Sequence, residues 1–514
     1  MDAQELKKYL AENEIDVQSA RAAFNAADWV FRAYSDSAEI TGVDYDHVHC
    51  YFGQGADVFY QLISRDDIKK VSKKFYEDYL ENPEGMRNKI QAQQKLALEI
   101  DRLGLEYLER AEGGIPDAEF AGYFRKINEL AYEWWKCAAT GEDKAEVVNW
   151  EVVPRFQKRH GISYEDAREA VSVLAHPDEM AVFNQERKNF FEICLTVNRK
   201  IHSSGNDDFA KAWEDKNVQP LVDKYIRDFF WIKTNFYEAT RVDGYSLRDE
   251  VKNELKIKNE ADLENELAKI EDNFSNIHAS KNELKKRYAL REVDLMDIEF
   301  SQKAILWFDQ RKSGMMKQFY YIYSMLREIT ERKKIDYHTC TAYFMEELFD
   351  LLEKDVRVDP LIIAKRESGV FLAFEHGKRN IFFGDEARDL FGLASKIESA
   401  SGLMGVVASR GGQEKIRGIV SIILRPDKSD FEAGRILVTS MTRIEFVPLM
   451  KKAIAIITDE GGLACHAAIV SRELGLPAII GTKNATRILQ DGDEVELDLK
   501  TGEIRAIRAA ISAA

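Results

Sequence analysis

Cysteine is sparse in this chain. Five (Cys50, Cys137, Cys194, Cys340, Cys465) are scattered over 514 residues. They are too far apart and odd in number for a disulfide framework, so free thiols in a reducing cytoplasm are expected. An excess of positive charge is also missing: 73 Lys and Arg against 89 Asp and Glu leave a formal charge of −16. That excludes the basic face a nucleic-acid binder or an anionic-membrane binder needs. No apolar run is long enough to span a bilayer, and the first thirty residues hold no signal core, so no membrane partner is expected. The first 390 residues contain no G-x-x-x-x-G-K-[ST] loop, and no barrel-length alternation of strands and helices occurs. No solenoid repeat or low-complexity tract is found. What is present, 45% hydrophobic and 32% charged residues, suits a folded chain of two to four domains.

The pattern divides the chain in two. Residues 1–395 are dominated by apolar residues three and four apart, as in ELKKYL, SARAAFNAADWVFRAY, DVFYQLI and NKIQAQQKLALEIDRLGLEYLERA. This predicts a large, mainly α-helical N-terminal region. EGGIPDAEF (112–120) and HSSGNDDF (202–209) read as breaks. Leu263, Leu267, Ile270, Phe274 and Ile277 form a seam with flanks dense in Glu, Lys and Asn. It predicts an exposed helical hairpin or short coiled-coil arm over 258–290. A β-hairpin is expected at 368–384, with His376-Gly377 in its turn. Residues 396–412 (KIESASGLMGVVASRGG) suggest a hinge from their Ser and Gly content. From 413 to 514 short strands alternate with turns: GIVSIIL, GRILVTS, AIAIITDE, PAIIGT, DEVELDL and GEIRAI. One helix, HAAIVSRELG, interrupts them, giving an α/β domain behind the helical region.

The helix after His466 is specified at both ends. Ala467, Ala468, Ile469, Val470 and Leu474 supply an apolar face, and Gly475 then Pro477 stop it. At its other end His466 stands where free N–H groups and the helix dipole favour negative charge. Gly461 and Gly462 let the backbone curl so that more N–H groups converge. A neutral imidazole is a competent nucleophile near pH 7, and a phosphoryl group on it would find those donors. The residues alone leave two readings: a phosphoryl-carrying histidine, or one that merely caps a packed helix.

TDEGGLACHAAIVSRELGLPAIIGT (458–482) closely resembles the phosphohistidine signature of phosphoenolpyruvate-utilising enzymes, and the resemblance extends over 402–514. It implies a swivelling β/β/α phosphohistidine domain in which His466 is phosphorylated. Gly461, Gly462, Cys465, Thr458 and Arg472 fall at signature positions, and Thr442 is a further phosphate-contact candidate. Ala464 departs from the hydroxyl residue common two positions before the histidine, which bears on the rate of transfer. The order, helical region then swivelling domain, resembles rifampin phosphotransferase without its ATP-grasp domain, and the larger catalytic subunit of phenylphosphate synthase. The resemblance therefore implies a separate ATP-grasp nucleotide-binding subunit that loads His466 from ATP with Mg²⁺, or loading from phosphoenolpyruvate. No tightly bound cofactor is expected in this chain.

The helical region would then hold a small-molecule acceptor. Trp134 and Trp135 in YEWWKC, with Arg311 and Tyr320 in WFDQRKSGMMKQFYYIY, are the acceptor-binding candidates, with core packing as the plainer alternative. His47, His49 and Cys50 in DHVHCYF lack a second ligand group at metal spacing, so no metal site is expected. A non-catalytic phosphohistidine relay and a degenerate scaffold are the rival functions.

Overall fold

A computed structural model describes residues 2–43, 45, 47–53, 58–138, 147–203, 208–395, 403–424, 426, 430–442, 446–461 and 466–508, excepting the side chains at 18–21, 58, 149, 165, 273, 466, 469, 472, 473 and 508. It divides into two compact units: Met1–Ser35 with Asp46–Asp67 and Asp359–Ala514, and Asp36–Tyr45 with Ile68–Val358. A large helical region and a β domain near the C-terminus are both present. None of the described helices is long and apolar enough to cross a membrane.

The first unit holds a sheet the periodicity did not reveal. β1 (Ile15–Arg21), β2 (Val48–Phe52), β3 (Val58–Ser64), β4 (Val370–Glu375) and β5 (Lys378–Phe383) run antiparallel in the order β1-β3-β2-β4-β5. DVFYQLI, expected as helix, forms β3 from Val58 onward; Asp57 lies outside the described residues. Its seven residues fit either period, and pairing to strands on both sides decides the outcome. The hairpin at 368–384 forms as expected. His376 and Gly377 both take positive φ, 47° and 72°, as a two-residue hairpin turn requires. Leu6 and Leu10 of the helix Ala3–Glu12 and Leu390 of the helix Gly384–Ala394 pack on one sheet face with Tyr51, Leu62 and Phe371.

The second unit is helical. Pro83–Glu112 ends at Gly113 and Gly114, the latter at φ 81°, and Asp117–Ala138 follows. The expected break at 202–209 falls partly outside the described residues; Val182–Ser203 ends before it and Phe209–Trp213 begins after it. Of the two expectations for residues 258–290, the hairpin does not form. These residues contain one 28-residue helix, Glu260–Arg287, rather than an exposed hairpin. Leu263 is fully buried, with Leu267 and Ile270 packed beside it on the helix Val182–Ser203. The apolar seam found a partner within the unit, not a second arm.

A 42-residue helix, Glu292–Lys333, forms the axis of this unit. Gly104 lets the ring of Tyr321 lie on the backbone of Pro83–Glu112; a Cβ there would come within 2.5 Å of that ring. Gly314 admits Trp134 in the same way, at 3.1 Å. At the helix start Arg159 bridges two buried carboxylates, Nε to Asp294 Oδ1 at 2.6 Å and Nη2 to Asp297 Oδ2 at 2.6 Å. The Tyr76 hydroxyl donates to Asp297 and the Arg291 N–H to Asp294.

The C-terminal sheet has eight strands: β6 (Leu403–Met404), β7 (Val406–Ser409), β8 (Lys415–Ile422), β9 (Ile436–Thr439), β10 (Ala455–Thr458), β11 (Ala478–Ile480), β12 (Glu494–Asp498) and β13 (Glu503–Arg508). Their order is β6-β13-β12-β8-β9-β10-β11-β7, with β8 to β11 parallel. Alternate residues of the parallel strands feed two cores. Leu437, Ile456 and Ile480 meet Ala467 and Ala468 on one face; Val438, Ile457 and Ile479 meet Val495 and Leu497 on the other. The six strands read from sequence all form. β6 and β7 lie inside the segment expected as a hinge, whose residues 396–402 are outside the described ones. Ser and Gly there serve strand edges and a tight turn: Gly411, at φ 53°, has no room for a Cβ, which would meet Gly475 O at 2.6 Å.

Candidate functional site

β9, β10 and β11 end on the same side because they are parallel, and ligands in such sheets bind beyond the strands' carboxyl ends. Three chain segments leave there: Ser440–Thr442, Asp459–Gly461 and Gly481–Thr486. The middle one leads to His466, the first residue of the helix His466–Leu474. Gly461 has φ 118°, a conformation open only to glycine. Gly481, at φ 66°, is needed because a Cβ would meet Gly461 O at 2.8 Å. Gly462 and Cys465 lie outside the described residues, as do the side chains of His466 and Arg472.

The far end of the helix closes as its sequence requires. Gly475 takes φ 62°, and the Leu476 N–H bonds back to Ser471 O at 2.8 Å, a glycine-ended cap. The apolar face is narrower than expected. Ala467 and Ala468 are buried, but Leu474 is 39% exposed, and Ser471 takes an interior position. A residue at the last turn beside a left-handed glycine has already left the packed stripe.

Thr458 is fully buried at the end of β10. Its hydroxyl donates to Glu460 O at 2.6 Å, and its carbonyl accepts from the Thr482 N–H at 3.0 Å. Expected as a phosphoryl contact, it here shapes the turn that leads to the glycines. Thr442 is buried just beyond β9.

Sequence reasoning passed over the residue that ties these segments together. Asp459, buried within TDEGG, accepts from Thr482 Oγ1 at 3.1 Å, from the Thr486 N–H at 3.1 Å, and from the Thr486 hydroxyl. Its own N–H donates to Thr439 O and its carbonyl accepts from Lys483 N–H. Burial pushes its carboxyl above the usual range, opposed by the Thr486 and Thr482 donors and by the charge of Arg487. The available signal was a carboxylate inside the motif with two threonines following β11.

The four acceptor candidates are all buried in the helical unit. Trp134 and Trp135 meet edge to face at 5.0 Å, and Trp135 stacks on Phe319 at 6.0 Å. Arg311 lies 5.2 Å from the Phe308 ring. Tyr320 packs edge-on to Phe230 at 4.9 Å. Arg311 and Tyr320 are about two and a half helical turns apart and so sit on opposite sides of one helix. The four do not line one pocket. His49 and Cys50 are adjacent on β2 and point to opposite sheet faces. Burial pushes the His49 imidazole down to about 3. Among the described residues no group of three His, Cys, Asp or Glu converges on a metal position.

With this geometry in hand, residues 431–502 match the family model of the PEP-utilising enzyme mobile domain. This chain carries a PEP-utilising mobile domain. Curated relatives include a probable phosphoenolpyruvate synthase of Staphylothermus marinus, 52% identical over 90 residues, 17% of this chain and 11% of that protein. Another, from Archaeoglobus fulgidus, is 51% identical over 111 residues, 21% of this chain and 14% of the relative. The phosphoenolpyruvate synthase of Deinococcus radiodurans is 48% identical over 87 residues, 17% and 11%. The chain spans only 11% to 14% of the length of these relatives. The mobile domain is thus what the chain shares with them, and its parallel strand ends carry the signature.

Proposed function

We propose that this chain is the carrier component of a phosphotransferase, with His466 as the phosphorylated residue of a swivelling β/β/α domain. The observation that carries the reading is His466 opening a helix beyond the carboxyl ends of three parallel strands, five residues after a left-handed Gly461, within the mobile-domain match. A ring nitrogen of His466 attacks the donor phosphorus; an N–P bond forms as the donor P–O bond breaks. An acceptor oxygen then attacks the same phosphorus, the N–P bond breaks, and the acceptor's proton passes to solvent. The chain's own contribution is alignment and backbone N–H donors, which suffices for a loose phosphoryl transition state. ATP and Mg²⁺ enter this reading through a separate ATP-grasp subunit, with phosphoenolpyruvate as the other donor. The four described cysteines are buried and outside any disulfide, in keeping with a cytoplasmic setting.

A second reading, a non-catalytic relay, is favoured by one observation: the ring-to-ring packing that already occupies Trp134, Trp135 and Tyr320. Incubation with labelled ATP or phosphoenolpyruvate, with and without an ATP-grasp protein, separates the cases. Acid-labile, alkali-stable label lost in His466→Ala supports the carrier. Label from ATP with this chain alone sinks the separate subunit; no label under any pairing leaves the scaffold.

A further inference from the structure

One arginine of the C-terminal domain reaches a helix that packs on the sheet of β1 to β5. Arg487 stands on the short helix Ala485–Ile488, just past the segment that leaves β11. Its Nη1 donates to the carbonyl of Ser395, 92 residues earlier, at 3.4 Å. Ser395 closes the helix Gly384–Ala394, whose last turn holds no basic residue of its own. The free carbonyls of a helix end carry partial negative charge, so a cation there is favoured. Arg487 supplies from another part of the chain what this helix lacks. The helix end is itself anchored to the sheet, with Phe391 4.6 Å from the Tyr60 ring and stacked on Tyr51 at 4.3 Å. The Arg487 charge also reaches Tyr60, where it opposes the upward push of burial on the hydroxyl.

The same guanidinium holds the candidate site. Its Nη2 donates to Lys483 O at 3.3 Å, and the Lys483 N–H donates to Asp459 O at 2.8 Å. Lys483 has φ 72°, a left-handed conformation unfavourable for a residue other than glycine. One side chain thus joins the strand-end segment to the helix Gly384–Ala394.

The hold is loose. N–H···O bonds centre on about 2.9–3.0 Å, and both Arg487 bonds are longer. Arg487 forms no ion pair among the described residues, although burial disfavours its charge. Arg159, by contrast, is clasped by two carboxylates at 2.6 Å each. Ile488 beside Arg487 is 39% exposed, so no apolar seal backs the contact at that point. Bonds of this kind exchange for water with little net change, so a contact built on them can open and close.

We propose that the end of the helix Gly384–Ala394 is a docking station for the C-terminal domain, engaged and released through Arg487. Release as a step of phosphoryl transfer rests on the carrier reading above; the docking itself does not.

The test uses the full chain carrying Ser395→Cys and Ile488→Cys, treated with a short thiol-cleavable bismaleimide. The parent and each single variant control for the native cysteines. A 395–488 link, read by mass spectrometry of the peptides, should form about tenfold or more above those controls. Adding Arg487→Met should slow its formation about tenfold, because the docked population falls. Arg487→Lys, which keeps a cation at the helix end, should retain most of the rate and serves where the Met variant fails to fold. The linked chain should take label on His466 about tenfold more slowly, with the rate restored when the link is cleaved. No link above the controls overturns the docking. A link that forms equally fast in Arg487→Met removes Arg487 from it and overturns the proposal as well. A linked chain that labels at the parental rate overturns release as a step. A parent chain without label sinks the carrier reading, and link formation still decides whether the station exists.

Discussion

In the C-terminal domain the polar groups around the strand ends that lead to the helix His466–Leu474 come from within thirty residues of one another: Asp459 meets Thr482 and Thr486, 23 and 27 residues away. In the helical unit Arg159 reaches Asp294 and Asp297 across 135 and 138 residues, and Trp307 reaches Gln93 across 214. One region builds its chemistry from loops at adjacent strand ends. The other builds it from side chains on helices that only the tertiary fold brings together. The lesson is that a short motif can announce the first kind of site, whereas the second has no local signature to announce.

The strongest way to break this contrast is to ask whether function and stability separate. On the carrier proposal, His466→Ala should abolish acid-labile label entirely, with a urea titration run beside it to show that the variant still unfolds cooperatively. Arg159→Met should do the opposite. Removing the bridge strands Asp294 and Asp297 in the interior, costing about 3–5 kcal/mol, while labelling of the folded fraction persists. The same network sets an acid limit. Burial acts against the Asp294 charge, yet the Arg291 N–H and the Arg159 guanidinium hold its carboxyl below the usual range. A carboxyl lowered in the folded state stabilises above its unfolded value and loses that contribution as pH falls through the folded value. Urea midpoints should therefore fall below about pH 4 in the parent. In Arg159→Met that dependence should flatten.

This division also explains what was readable beforehand. The six strands from GIVSIIL to GEIRAI were legible because each is a short β-rich run between turn residues, and His466 because glycines, helix and stop signal stand in one ungapped stretch. β1 and β3 were not, since stretches of seven residues are too short to carry a decisive period and pair with each other across the chain. β6 and β7 hid in a Gly-rich segment that looked like a hinge. The seam at 258–290 was visible, but its partner helix, Val182–Ser203, was not. Asp459 was in plain view and still missed, because a buried carboxylate in a polar motif looks the same on paper as a solvated one.

Two glycines sharpen the comparison within the helical unit. Gly104→Ala would drive a methyl to 2.5 Å from Tyr321, whose hydroxyl is held by Asp101. The ring has no slack, and a loss of about 1–3 kcal/mol or more is expected by chemical denaturation. Gly314→Ala meets the edge of Trp134 at 3.1 Å, a few tenths of an ångström too close. There the roughly 1 kcal/mol that alanine gains over glycine inside a helix offsets the crowding, and the net change should be small. Equal losses at both sites would mean that Trp134 is held as rigidly as Tyr321.

The smallest effect expected is the most telling for the mobile domain. Because burial raises the Asp459 carboxyl, its charged form is the less favoured one in the folded state, and the stability tied to protonation is lost as pH rises through the folded value. Asp459→Asn should then change stability at pH 7 by no more than about 0.5 kcal/mol, as an amide oxygen still accepts from the Thr486 N–H. Asp459→Ala leaves that N–H and the Thr486 hydroxyl without their acceptor and should cost about 1–3 kcal/mol. If the loop's shape is what matters, His466 should label at the parental rate in Asp459→Asn and more slowly in Asp459→Ala. A carboxylate required for its charge would slow both equally, and Asp459 would then act on the phosphoryl group's approach rather than on the geometry of the turn.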